Sequence, residues 1–179
     1  IDALRDARDF QGYFDKQFAE QQILSCYDSA RIHPPNVDKK NLFQEDGIWY
    51  SNAEKYMTMK KAELMGDMET WKKMKAIDNP RGIKALGREV KNWNEQLWNG
   101  HKEEIVTQAN FLKFSQNPDL LHIMKEQKNL ILVEGSPVDP IWGVGLHFDD
   151  DLILDEKNWK GQNLLGKCLM QARKKLLKD

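Results

Sequence analysis

Glu54 and Lys61 are seven residues apart in a helix expected to begin at Ala53 and to stop at Gly66. Seven residues are close to two turns, so both side chains leave the same face, and an acid and an amine on one face can act together. The same spacing also fits a solvated, charged stripe. Asp139 follows an apolar strand, lies between Val138 and Pro140, and is followed by Trp142. Rigid strand ends aim exposed loops at substrates, although Asp is also favoured there simply for turn hydrogen bonding. Trp93 and Trp98 sit in the polar run NWNEQLW. An indole face there can stack on a base or a sugar, or it can serve as a large packing surface.

Candidates for anions and metals are thinner. Gly143-Val144-Gly145 is a GxG without the third glycine and the later acidic residue of a dinucleotide fingerprint. Gly161-Gln162-Asn163 precedes the terminal helix, where first-turn amides favour a phosphate, while Asn163 could equally cap that helix. Asp149-Asp150-Asp151 beside His147 is an acidic run of the kind usually solvated, and no dedicated metal site is expected. Cys26 and Cys168 are far apart and outside any Cys-x-x-Cys spacing, so neither a disulfide framework nor a zinc site is read from them.

The elements that must position these residues can be read from periodicity. Leu4, Phe10, Phe14 and Phe18 recur among charges and predict an amphipathic helix over residues 2 to 22, followed by a short strand ILSCY. Asp46-Gly47, between Phe43 and Ile48-Trp49-Tyr50, predicts a hairpin turn. Ser51 or Asn52 can cap the Ala53 helix, a charged helical piece covers Met68 to Ala76, and Asn79-Pro80 restarts the chain. Further helices are expected at His101 to Ser115, Pro118 to Gln127 and Leu164 to Leu177, with Leu130 to Val133 as the best single strand. The sum is a helix-rich α+β single domain, residues 1 to 179, with a small β-sheet.

The bulk numbers exclude several classes. Lys plus Arg total 27 against 28 Asp plus Glu, so no overall field draws the chain to nucleic acid or to an anionic membrane. No apolar run approaches the ~18 residues of a membrane span, and IDALRDARDF is too charged for a secretory signal, so a cytoplasmic location is expected.

The order of motifs adds to this reading. Ser51-Asn52-Ala53-Glu54-Lys55-Tyr56-Met57 runs to Lys60-Lys61-Ala62 and Gly66-Asp67, then to Leu86-Gly87-Arg88-Glu89-Val90, Trp93 and Trp98. Lys113-Phe114-Ser115-Gln116-Asn117-Pro118 follows, then Leu132 to Gly143 (LVEGSPVDPIWG) and Trp159 to Gly166 (WKGQNLLG). Over residues 42 to 177 the chain resembles the NADAR family of YbiA-like proteins, which leaves residues 1 to 22 as a helix outside the resemblance. The resemblance implies an N-glycosidase acting on early riboflavin-pathway intermediates, aminopyrimidines joined to ribose phosphate. Relatives in the family are associated with removing ADP-ribose from guanine. By position, Glu54, Trp93 and Asp139 match the family's functional glutamate, tryptophan and aspartate, and Lys61 its helix lysine. Trp142, Gly143, Asn163 and Gly166 match the remaining pocket motifs. Where the family carries an aromatic Ser-Asn-Phe segment, this chain has Pro35 to Phe43 (PNVDKKNLF), so that part of the pocket is expected to differ.

Cleaving a ribosyl C–N bond needs a proton on the leaving nitrogen and a partner for charge growing at the anomeric carbon. Glu54 is expected to be the acid/base, Asp139 to orient water or the ribose hydroxyls, and Trp93 to stack on the base. A Lys61 amine could instead attack an opened ribose as a Schiff-base nucleophile. Arg88 and the amides near Asn163 are the phosphate candidates. The chemistry calls for no redox cofactor and no metal. The expected partner is a small ribose phosphate or ADP-ribose compound, with nucleic acid only as a modified substrate and no membrane. The alternatives are an ADP-ribosyl hydrolase removing ADP-ribose from guanine in DNA or from another conjugate, and a catalytically silent module that binds ADP-ribose or a nucleotide.

Overall fold

A computed structural model describes residues 14–18, 23–26, 41–127 and 129–177. It divides into two compact units, one built from residues 34–121 and the other from residues 1–33 together with 122–179.

In the continuous unit, β3 (Phe43–Glu45) and β4 (Ile48–Tyr50) pair antiparallel, with Phe43 opposite Tyr50. Asp46 and Gly47 join them at φ 51° and 76°, the left-handed pair that a two-residue hairpin needs, as Asp-Gly predicts. Helix α1 (Ala53–Leu64) starts at Asn52, whose side chain accepts from the Lys55 amide at 2.8 Å. It stops at Gly66 (φ 72°), where the Gly66 amide donates to Glu63 and the Asp67 amide to Ala62, the paired bonds of a Schellman turn. Asp67 then caps α2 (Met68–Lys75) through the Thr70 amide, and Asn79 caps α3 (Pro80–Arg88) through the Gly82 amide. Helix α4 (Glu95–Ser115) begins a turn and a half before the expected His101, because Asn94 accepts from the Leu97 amide and turns the polar NEQLW run into a first turn.

The core of this unit is Phe43, Tyr50, Tyr56, Met59, Ala62, Met65, Met74, Val90 and Ala109, with Tyr50 and Tyr56 edge to face at 4.9 Å. Two charged groups pack on it, Lys55 buried and Glu45 partly buried. Lys55 donates to the Ile77 carbonyl and to Asp78, each at 2.7 Å, which stops off the chain just after α2. Glu45 accepts from Tyr56 at 2.8 Å and pairs with Lys60 at 3.1 Å.

The other unit contains β1 (Phe14–Phe18), β2 (Ile23–Cys26) and β5 (Ile131–Glu134), with β1 antiparallel and β5 parallel to β2. The helix expected over residues 2 to 22 is therefore corrected: residues 14–18 are a strand. A four-residue recurrence of apolar residues fits the period of two of a strand as well as a turn of helix, so the spacing alone does not separate them. Residues 2–13 and 19–22 of that expectation lie outside the described residues, as do residues 35–40 of the segment that departs from the family pattern. Helix α5 (Pro118–Glu126) contains the boundary between the units. Helix α6 (Leu164–Leu176) buries Leu164, Gly166, Cys168, Leu169 and Ala172 and packs on β5. Val133, Val144, Leu146 and Ile153 form this unit's own apolar cluster.

Candidate active site

In the continuous unit, the structure brings Lys61 and Trp93 together. Lys61 is half-buried near the end of α1, and its Nζ donates to the Gly87 carbonyl at 2.6 Å. The same Nζ lies 4.6 Å from the centre of the Trp93 ring. Burial lowers the Lys61 pKa from the ordinary lysine value by disfavouring the charged form. Trp93 is 48% exposed, leaving much of the indole open, and Trp98 lies at 6.2 Å and 49° to it. An amine of raised basic-form population beside an open aromatic face can engage a carbonyl carbon and a flat ring at once.

The loop that carries Trp93 is tied down along its length. The Lys91 amide donates to Asp67 at 2.9 Å, Asn92 donates to the Met65 carbonyl at 3.4 Å, and the Asn94 amide contacts the Met65 sulfur at 3.3 Å. Asn92 takes φ 56°, a left-handed backbone that Asn tolerates. The bond from the Lys91 amide, then those from Thr70, hold the buried Asp67 carboxyl down to about 2. Lys91 itself pairs with Glu69 at 2.8 Å.

Glu54 lies in the first turn of α1, partly buried, about 10.5 Å along the helix axis from Lys61 at the standard rise. Thr58 stands between them and donates to the Glu54 carbonyl at 2.7 Å. Arg88 is exposed at the end of α3, next to Gly87. It continues a stripe with Arg81 and Lys84, which are exposed on the same helix.

In the other unit, Asp139 shapes a turn. Its Oδ1 accepts from the Ile141 amide at 3.0 Å and the Trp142 amide at 2.9 Å, and its carbonyl accepts from Gly143. Gly143 has no room for a side chain: a Cβ would stand 2.8 Å from that of Ser136 and 2.9 Å from the Asp139 carbonyl. The carbonyls of Pro140, Ile141, Trp142 and Gly143 accept from the amides of Gln162, Leu164, Leu165 and Asn163. The expected phosphate cradle before α6 is thereby corrected, because its amides already bond to the 140–143 turn. Asn163 does not cap α6 with its side chain. Buried at φ 52°, it accepts from the Glu134 amide and donates to the Leu132 carbonyl, each at 2.9 Å. Gly166 lets α6 close onto β5, since a Cβ there would strike the Leu132 carbonyl. The Asp149–Asp151 run serves turns: Asp150 caps a 3-10 turn through Leu152, and the Asp149 amide meets His147 Nδ1 at 3.3 Å.

Two residues that the spacing arguments did not single out now stand out. Gly87 supplies the carbonyl that holds Lys61. Glu134 is a buried acid, 3% exposed, at the end of β5. Its signal in the sequence was an apolar strand ending on a carboxylate.

The NADAR domain family model matches residues 13–177. An N-glycosidase of Acanthamoeba polyphaga mimivirus is 47% identical over 135 residues, 75% of this chain and 79% of its own length. Protein irg-1 of Caenorhabditis elegans is 39% identical over 135 residues, 74% of this chain and 64% of that one. The chloroplastic riboflavin biosynthesis protein PYRR of Zea mays is 29% identical over 108 residues, 58% of this chain and 16% of that one. The NMR structure of Escherichia coli YbiA shares the fold, with a TM-score of 0.66 and 22% identity over 95% of this chain and 90% of that one.

Proposed function

The chain belongs to the NADAR family and is an enzyme acting on N-glycosyl bonds, and we propose that the bond it hydrolyses joins an aminopyrimidine to ribose phosphate, as in early riboflavin-pathway intermediates. The observation that carries this reading is the Lys61 amine, bonded to Gly87 and lying against the half-open Trp93 ring. Such a pair suits a substrate with an aldehyde-forming sugar at one end and a flat base at the other. The riboflavin name of the maize relative supports the substrate class. A cytoplasmic location goes with it; among the described residues no helix is long and apolar enough to cross a membrane.

The reaction can run covalently. The ribose ring opens as its C1–O bond breaks and the ring oxygen takes a proton, leaving an iminium at C1. The neutral Lys61 amine adds to C1, and a proton passes from its nitrogen to the nitrogen of the base, for which Glu54 is the relay. The bond from C1 to the base then breaks and the aminopyrimidine departs. Water adds to the C1–Lys61 iminium and releases ribose phosphate with the free amine. In the direct route Glu54 protonates the leaving nitrogen while water attacks C1. Asp139 is assigned to water or the ribose hydroxyls, with Trp142 and Gly143 forming its turn, and Arg88 to phosphate. Asn163 and Gly166 contribute by holding β5 and α6 in place.

Incubation with aminopyrimidine ribose phosphates, followed by mass spectrometry of base and sugar beside a Glu54→Gln control, tests the reading. Glu54-dependent release of the aminopyrimidine is expected, and no release from these compounds would overturn it. A second reading, removal of ADP-ribose from guanine in DNA, is favoured by the exposed Arg81, Lys84 and Arg88 stripe. It requires release from modified DNA that falls steeply with salt. Binding of ADP-ribose without any release would instead indicate the silent module.

A further inference from the structure

We propose that Gly87 is a positioning residue for this reaction: its missing side chain lets α3 approach α1 closely enough for the Gly87 carbonyl to hold the Lys61 amine beside the Trp93 ring. The inference rests on the reading of Lys61 given above.

Three observations meet at this point. First, Gly87 is buried against α1, and a Cβ built on it would lie 2.6 Å from Thr58 Cγ2, a separation that real side chains do not adopt. The next nearest atoms of Thr58, Cβ and Oγ1, would be 3.8 Å away, so a single methyl group sets the limit of approach. Second, Gly87 is in the last turn of α3, whose terminal carbonyls have no partner within the helix. Its oxygen therefore points onward with the negative end of the helix dipole and accepts from Lys61 at 2.6 Å. Third, Thr58 is one turn from Lys61 on α1, so the contact that brings the helices together lies beside the amine that it positions. The φ of Gly87 is not left-handed, so backbone freedom is not why glycine is there; the close approach is.

Adding one carbon at Gly87 must push α3 away by several tenths of an ångström, lengthen the bond to Lys61 and let the amine swing off the ring. The test compares Gly87→Ala, Thr58→Ser and the Thr58→Ser/Gly87→Ala double variant. The first readout needs no turnover. In the wild type the Lys61 ammonium resonance is expected to be protected from exchange by its carbonyl bond and shifted upfield by the Trp93 ring. Gly87→Ala should move both properties to those of a surface lysine. The double variant, which removes the obstructing methyl, should restore them.

The second readout is the Lys61 adduct trapped with borohydride during turnover of an aminopyrimidine ribose phosphate. Its yield and kcat should fall at least about tenfold in Gly87→Ala with KM little changed, since displacements below an ångström at reacting groups already cost rate steeply. The double variant should recover both. A folded Gly87→Ala protein with the wild-type Lys61 resonance and adduct yield would overturn the proposal. So would a double variant that fails to recover or fails to fold, because the Thr58 methyl would not then be what the glycine makes room for. If Lys61→Ala turns over like the wild type, the assignment of Lys61 fails instead, and the resonance still reports whether Gly87 holds the amine.

Discussion

Lys61 is acted on by opposing effects, and their balance decides its chemistry. A carbonyl at 2.6 Å and an aromatic face at 4.6 Å hold the amine in place and on their own favour its charged form, while burial disfavours the ammonium and lowers the pKa. Only the neutral form is a nucleophile, so kcat is expected to rise with pH through an ionisation below the ordinary lysine value of 10.5, and pH–rate profiles read this directly. Lys61→Arg keeps the charge but is never neutral in water, so it should lose about 10²-fold or more in kcat together with the trapped adduct. Unchanged turnover in Lys61→Arg would leave only the direct route through Glu54. The shared face of Glu54 and Lys61 was legible from their spacing alone, because helical period fixes direction. Gly87 was not, since what matters there is an absent side chain facing Thr58, and no local pattern records a contact between residues 29 positions apart.

At the scale of elements, two short segments are fixed by side chains that work as backbone partners. Asp67 caps α2 and also holds the Lys91 amide, so the start of α2 and the loop before α4 share one carboxylate, while the Asp67 amide serves the stop of α1. Asp67→Ala should therefore loosen Trp93, raising KM more than it lowers kcat and broadening the Trp93 indole resonance. The acid behaviour has a definite sign. The folded pKa of about 2 is below the unfolded value of 3.8, so this contribution to stability is fully present above pH 3.8 and is lost as pH falls through about 2. Glu69, held to about 2 first by Lys91 and then by Lys73, acts in the same direction. Acid titration of unfolding should show the loss in the wild type and a shallower one in Asp67→Ala. Asn163 plays the matching part in the other unit. Replacing it with Leu strips partners from the buried Glu134 amide and Leu132 carbonyl, each worth about 1–3 kcal/mol when left unsatisfied, and puts a branched residue at positive φ. A large drop in Tm is the expected result. The helix starts at Asn52 and at Asn79-Pro80 were readable because capping chemistry is local, and so was the Asp46-Gly47 turn. The start of α4 and the strand at residues 14–18 were not, since one needs its cap to outweigh a polar context and the other depends on a partner strand.

Across the whole molecule, one unit is continuous in sequence and the other is assembled from both ends of the chain. That difference determines which piece can fold alone. Residues 34–121 contain the hairpin, four complete helices and the aromatic core of Phe43, Tyr50 and Tyr56. They also contain every contact described for Lys61: the Gly87 carbonyl, the Trp93 ring and the ties from Asp67 and Met65 to the Trp93 loop. Residues 122–179 alone contain β5 without β2, and a strand deprived of its parallel partner exposes a full edge of amides and carbonyls. A fragment of residues 34–121 is therefore expected to melt cooperatively, to give dispersed amide resonances and to keep the shielded Lys61 ammonium signal. The fragment of residues 122–179 should give neither cooperativity nor dispersion until residues 1–33 are supplied. A collapsed, undispersed spectrum for residues 34–121 would mean that the environment of Lys61 is not encoded within its own unit. The effects predicted for Gly87 and Asp67 would then have to be measured in the full chain alone.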